Sequence, residues 1–184
     1  MLLFINNICA YSGLNGILAW KSTASSKSEV CITDGDSDAL VHLRENIERN
    51  QNTTDIDDID KVSCHQLIWG KQSSERFLSD IANNQMYDVI IASDIIYSPV
   101  IVEPLWETVE TLLIKPNGDC GKEEGGVFVM AFARRKVPVS IEMVCEKAVE
   151  NGFTYEIVKE DEEEGIWVYT FRYMANETRK DIRE

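Results

Sequence analysis

The sequence predicts an α/β fold: a mostly parallel sheet with helices on both faces and an antiparallel hairpin at its C-terminal end. Three observations carry this expectation. Short continuous apolar runs, VIIA at residues 89–92 and GVFVMA at residues 126–131, have the composition of strands covered on both faces. Stretches with apolar residues at helical spacing lie between such runs. The last two strand candidates, residues 153–159 and 166–173, are separated by an acidic connection too short for the crossover that a parallel pair requires.

Taken in order, residues 11–20 (YSGLNGILAW) place Gly13 and Gly16 in a turn and an opening helix. EVCIT at residues 29–33 is a strand ended by Asp34 and Gly35. Asp36 or Ser37 caps a helix to about Asn50, with Leu40, Leu43 and Ile47 on one face and Arg44, Glu45 and Glu48 on the other. Residues 62–68 form the next strand candidate, and SERFLSDIANN from Ser74 a short amphipathic helix. The segment YDVIIASDIIY, residues 87–97, reads as a buried strand that delivers Ser93, Asp94 and Tyr97 to its carboxyl end. That edge is where open α/β sheets bind ligands, although Asp is also a favoured helix cap. Ile101, Leu105, Val109 and Leu112 then recur at helical spacing until Pro116, Asn117 and Gly118 break the run. A last helix from about Val139 stops at Asn151 and Gly152.

A chain of 184 residues, 44% hydrophobic, is long enough for one domain with a real core. Its formal net charge of −14 argues against nucleic-acid binding, which needs clustered Lys and Arg. Acids gather at residues 55–60 (DIDDID) and 160–164 (EDEEE); both read as solvated loops without the ligand order of a calcium site. Cys9, Cys31, Cys64, Cys120 and Cys145 form no CxxC pair, which suits reduced thiols in a cytoplasmic protein. His42 and His65 share no metal-ligand spacing with each other or with a cysteine. The opening MLLFINNICA lacks a basic start and is interrupted by Asn6 and Asn7, so no signal peptide is expected, and no run approaches a membrane span. A monomer is expected.

Three motifs then resemble the class I, seven-strand S-adenosylmethionine-dependent methyltransferases, whose fold is Rossmann-like. More narrowly they resemble the protein-lysine methyltransferase branch that includes calmodulin-lysine N-methyltransferase. They are VCITDGDSDALVHLRENIERNQ at residues 30–51, the LIWG stretch at residues 67–70, and the D-x-x-Y pattern of Asp94 and Tyr97. VMAFARR at residues 129–135 supports them. The resemblance implies S-adenosyl-L-methionine as cofactor, with Gly13, Asp34, Gly35, Ile68, Trp69 and Ser93 around it, and methyl transfer to a lysine of a protein substrate.

Physical roles fit these positions. Asp34 can accept hydrogen bonds from ribose hydroxyls, and its alternative is a turn aspartate before Gly35. Trp69 offers a flat face to adenine, and its alternative is a core tryptophan. Asp94 would hold the incoming ammonium while Tyr97 walls the channel.

The sequence departs from this pattern at the start. Family members carry a glycine-rich ELGxG-type segment, matched here by NNICA at residues 6–10, where Ile8 and Ala10 would intrude upon the cofactor. The helical segment that precedes this strand in the family is also missing. The first strand is therefore expected to be truncated or degenerate, through a truncated gene product or through loss of cofactor binding. A non-catalytic interaction module and a small-molecule methyltransferase stay open as alternatives.

Overall fold

The computed structural model describes residues 3–8, 13–23, 28–51, 62–116 and 125–174. Among them, seven strands form one sheet: β1 (Leu3–Asn7), β2 (Ser28–Asp34), β3 (Val62–Gln66), β4 (Val89–Ser93), β5 (Val127–Ala133), β6 (Phe153–Asp161) and β7 (Ile166–Tyr173). Five α-helices connect them: α1 (Leu14–Ser22), α2 (Ser37–Gln51), α3 (Lys71–Asp80), α4 (Val102–Leu112) and α5 (Ile141–Glu150). The strand order is β3-β2-β1-β4-β5-β7-β6. β1 to β5 pair in parallel and β7 runs antiparallel to both of its neighbours, which confirms the mostly parallel sheet and its terminal hairpin.

Each face of the sheet has its own core. On one side, Ile17 and Trp20 of α1 and Leu40, Leu43 and Ile47 of α2 pack on Ile5, Val30 and Ile32. On the other, α3, α4 and α5 press Phe77, Trp106 and Val144 onto Ile90, Phe128 and Phe171. Trp106, fully buried, ties the second core together. Its ring lies 4.9 Å from that of Phe171, 5.3 Å from Phe153 and 5.7 Å from Phe128, and its indole N–H donates to the Val144 carbonyl at 3.1 Å. One side chain thereby joins α4 to three strands and to α5, with each aromatic pair adding to simple burial.

Local chemistry sets the ends of several elements. The Asp36 carboxylate accepts from the Asp38 N–H at 2.8 Å, starting α2 where capping was expected. Ser140 accepts from Met143 N–H at the start of α5, and Gly152 follows its end at φ 84°, a conformation natural to glycine. Gly13 opens α1 at φ 70°, and a Cβ there would sit 2.6 Å from Leu43 Cδ2. Glycine at this position lets α1 close down on α2.

Two elements differ from the sequence reading. α3 begins at Lys71 and not at Ser74, because Ser74 is fully buried with its hydroxyl turned back to the Gly70 carbonyl at 2.9 Å. β3 ends at Gln66, leaving Leu67 and Ile68 in the connection beyond it. The expectations on Cys9, Ala10, Cys120, the 55–60 acidic run and the helix break at Asn117 and Gly118 fall outside the described residues. Cys31, Cys64 and Cys145 are free, and burial lifts the Cys31 thiol to about 11. The acids of the 160–164 run are exposed apart from half-buried Asp161, in the end of β6 and its turn. His42 is exposed, and half-buried His65 meets the edge of Phe77.

The first strand is complete as a strand: five residues pair with β2 and three with β4. What is degenerate in it is the chemistry of its end, not its architecture. Ile8 does not intrude on a ligand. Its side chain is fully buried in the second core, and its N–H donates to the Ile91 carbonyl at 3.0 Å. Ile8→Ala is therefore expected to cost about 2–5 kcal/mol of stability, read as a lower urea midpoint. Unchanged stability would show that the side chain lies outside the core.

Candidate functional site

The strand order reverses between β1 and β4, and the chain leaves these two neighbours toward opposite faces of the sheet. This leaves a crevice at their carboxyl ends, the place where ligands settle in open α/β sheets. Asn7, buried at the end of β1, builds the floor. Its side-chain N–H donates to the Ile91 carbonyl at 3.1 Å and its side-chain oxygen accepts from the Gly16 N–H at 3.0 Å. The second bond satisfies one of the free donors in the first turn of α1. A carboxylate could make the second bond but not the first. Next to it, Asn15 of α1 donates to the Ser93 hydroxyl at 2.6 Å, tying the helix start to the end of β4.

Beside this floor lies an open cleft of about 640 Å³, lined by residues that include Asp34 and Gly35 after β2, Ile68 and Trp69 after β3, and Ile95 and Tyr97 after β4. Its walls are mostly apolar. Asp34 is only 7% exposed, and one carboxylate oxygen accepts from the Asp36 N–H at 2.9 Å. The residue thus makes the turn before Gly35 and also lines the cleft. Trp69 is half-buried, packed at the margin of the core. Ile68 is 59% exposed, a large apolar side chain left open on the cleft wall.

Asp94 is not a helix cap. The short 3-10 turn that leads into α4 is entered through Ser98 and has no side-chain cap bond. Asp94 instead adopts φ 54°, a region costly for a residue with a Cβ, held by its N–H bonding to the Ala131 carbonyl at 3.0 Å. Its carboxylate forms an ion pair with Arg135, from the stretch after β5. The same guanidinium lies 5.9 Å from the centre of the Tyr97 ring, within cation–π range. A carboxylate, an aromatic face and a cation between them therefore stand at the mouth of the site.

Of the residues expected here, Asp34, Gly35, Ile68, Trp69 and Tyr97 share the cleft, and Asp94 and Ser93 stand at the end of the adjoining strand β4. Gly13 differs: it is buried and its missing side chain makes room for Leu43 and Ile32, so its described contacts are with the core. Sequence reasoning missed the partnership of Asp94 with Arg135 and the double role of Asn7. Arg135 carried a signal, being one of two adjacent arginines following an apolar strand in a strongly acidic chain. Asn7 carried none beyond being a polar residue inside an apolar run.

A seven-stranded sheet in this order, with its crevice beside an acid after β2, defines the class I methyltransferase fold. Solved structures agree. The chain resembles precorrin-6y C5,15-methyltransferase of Geobacter metallireducens with a TM-score of 0.59 at 13% identity, covering 94% of this chain and 80% of that one. It resembles the CurJ carbon methyltransferase with a TM-score of 0.63 at 15% identity, covering 94% of this chain and 49% of that one. For TrmN of Thermus thermophilus the TM-score is 0.59 at 14% identity, covering 94% of this chain and 44% of that one. The chain thus spans about half the length of the last two. No curated protein matches its sequence. The family model described as lysine methyltransferase matches residues 7–138, more than half of the chain, and the chain belongs to that family.

Members of this family use S-adenosylmethionine as methyl donor. The cleft fits such a group: it offers a nearly buried carboxylate acceptor in Asp34 and apolar walls in Ile68 and Trp69. Among the described residues no cluster of His, Cys, Asp or Glu could hold a metal ion. No described helix is long and apolar enough to cross a membrane.

The bifunctional amide at Asn7 makes a test of the crevice floor. Asn7→Asp keeps the acceptor for Gly16 but sets a carboxylate against the Ile91 carbonyl, which keeps only the Ile8 N–H, and is expected to cost about 1–3 kcal/mol at neutral pH for the lost bond and the buried charge facing that oxygen. Burial raises the folded-state pKa of such a carboxyl above its unfolded value. The variant should therefore recover at low pH, where the acid can donate, and weaken as pH rises through the carboxylate range. Thermal unfolding across that range reads the effect; a loss independent of pH would contradict this arrangement.

Proposed function

We propose that the chain transfers a methyl group from S-adenosylmethionine to the side-chain nitrogen of a lysine in a protein substrate. The observation that carries this reading is the ion pair of Asp94 with Arg135 beneath the Tyr97 ring. A carboxylate and an aromatic face beside the cleft form a seat for a cation, and a lysine ammonium has the charge and the slender stem to enter it. The family description points the same way. The D-x-x-Y spacing resembles the branch that includes calmodulin-lysine N-methyltransferase, without selecting which protein is modified.

When bound, S-adenosylmethionine would supply a methyl group whose bond to the sulfonium sulfur breaks, with S-adenosylhomocysteine leaving, as the lone pair of the acceptor nitrogen forms the new N–C bond. The residues of the chain bind and align. Asp34 would accept hydrogen bonds from the ribose, with Gly35 leaving the approach open. Ile68 and Trp69 would offer apolar walls to the adenine ring, and Ser93 holds α1 against the end of β4 through Asn15. Asp94 attracts the substrate ammonium in exchange for the Arg135 guanidinium, and Tyr97 confines the nitrogen to one direction of approach. The nitrogen must also shed its proton. Bringing a lysine from about 10.4 to neutrality corresponds to roughly 4.6 kcal/mol at about 1.36 kcal/mol per unit, which desolvation beside a sulfonium charge can supply.

Two sets of variants test this reading. Asp34→Ala should weaken binding of S-adenosylhomocysteine by about 2–4 kcal/mol, the worth of hydrogen bonds to a charged acceptor with some compensation by water. Calorimetric titration checks it, with far-ultraviolet circular dichroism expected to stay unchanged. Loss of the fold would show that the turn bond to Asp36 is the main role of Asp34.

Asp94→Ala should suppress transfer of labelled methyl to protein while leaving cofactor affinity nearly unaltered, and Tyr97→Phe should be milder than Tyr97→Ala. The assay is transfer from labelled S-adenosylmethionine into a cell lysate, followed by location of the modified residue. Label confined to small molecules would replace the protein-lysine reading with a small-molecule one. No label and no cofactor binding would favour a non-catalytic interaction module.

A further inference from the structure

A second concave surface lies away from the cleft, between α5 and the outer hairpin. It encloses about 530 Å³. Its floor is Tyr155 and Ile157 of β6 with Tyr169 of β7, and its wall is Ile141, Cys145 and Val149 of α5. α5 buries Val144, Cys145 and Ala148 in the second core, while β6 beyond Phe153 is exposed from Thr154 to Glu160. Tyr155 is 47% and Ile157 46% exposed, adjacent large apolar side chains of a kind that marks an interaction site when rimmed by polar groups.

The rim is acidic. Glu142 and Glu146 line the groove, and among the described residues no basic one does. Lys147, the base on the same helix, is turned to Glu103 and Glu150 at 2.8 and 2.6 Å. Glu160 lies on the strand of the floor and accepts from the Trp167 indole N–H at 2.8 Å, and the turn after it carries Glu162, Glu163 and Glu164; Glu156 and Lys159 alternate to the other face of the sheet. Burial, then Glu142 and Glu146, lifts the Cys145 thiol to about 11, and burial, then Cys145 and Glu142, raises the Tyr169 phenol.

Topology connects the groove to the site. β6 is antiparallel to β7, which is antiparallel to β5, so β6 runs the same way as β4 and β5. Its Asp161 end therefore reaches the sheet edge that carries Asp94 and Arg135. α5 starts at that edge, shortly after Arg135, and returns along the groove for roughly 12 Å at 1.5 Å per residue. A chain that leaves the groove at Ile141 emerges on the edge where the cation seat stands.

We propose that this groove docks a cationic segment with aliphatic side chains that belongs to the protein substrate and flanks the lysine to be modified. The proposal rests on the protein-lysine reading for its placement, and names the substrate class as a lysine within or beside a basic, partly apolar stretch. The aliphatic side chains would cover Tyr155 and Ile157, and the cations would face Glu142 and Glu146. Charge matching of this kind steers association and selects among partners.

The test uses the full chain and a fluorescein-labelled twelve-residue peptide of alternating leucine and arginine, followed by anisotropy. The peptide holds no lysine, so its binding does not depend on methyl transfer. It should bind the unmodified chain, and at least tenfold more weakly after Glu142→Lys with Glu146→Lys, or after Ile157→Asn. Binding of S-adenosylhomocysteine should stay unchanged in both variants, since none of these residues lines the cleft. A peptide with serine in place of leucine should bind more weakly than the leucine peptide. Equal binding of the leucine peptide to all three proteins, or serine and leucine peptides of equal affinity, would overturn the groove as the docking site. Groove-dependent peptide binding in a chain that labels no lysine would instead retain the docking surface and remove the lysine reading.

Discussion

The seam between β1 and β4 is the contact on which the site depends. Only three residue pairs join these strands, against five on either of the adjoining seams, β1 with β2 and β4 with β5. The shortfall is met by side chains and by the chain just past the strand: the Asn7 amide and the Ile8 N–H both reach the Ile91 carbonyl. Asn7 also supports the first turn of α1, and Asn15 in that turn reaches Ser93. The crevice is therefore built by the same bonds that hold the two halves of the sheet together. Its position is a consequence of the topology, since only here do successive connections depart to opposite faces.

Charge is distributed unevenly around this frame. The chain as a whole is strongly acidic, yet the mouth of the site presents a guanidinium between a carboxylate and an aromatic ring. Arg134, the neighbour of Arg135, stacks over Trp167 at 4.7 Å, so the two arginines after β5 anchor in different directions. One reaches to the end of β4 and the other packs on the hairpin. The hairpin is in turn fastened to the core through Trp106 and its aromatic neighbours. The α5–hairpin groove, the arginine pair and the Asp94–Tyr97 edge thus belong to one connected piece of structure.

Much of the fold was legible in the sequence, because burial on both faces demands continuous apolar runs and burial on one face demands a helical period. VIIA, GVFVMA and the leucines of α2 obey these demands without regard to distant partners, and the short acidic connection alone requires the last pair to be antiparallel. Boundaries that depend on a partner were less legible. Ser74 reads as the first residue of a helix in sequence and is an interior residue, its hydroxyl donating to that of Thr108 of α4 at 3.2 Å.

For the site, the sequence by itself determined which chemistry arrives at the carboxyl edge: an acid after β2, a tryptophan after β3, and an acid and a tyrosine after β4. Strand direction delivers them there, and direction follows from local connection lengths. Only the tertiary structure decided what these residues face. Ile8 lies in the core and not against a ligand, Gly13 makes room for Leu43, and Asp94 is paired with Arg135, 41 positions away. Such pairings depend on which strands become neighbours and on the side from which helices pack, and a linear pattern of apolar and polar residues holds neither.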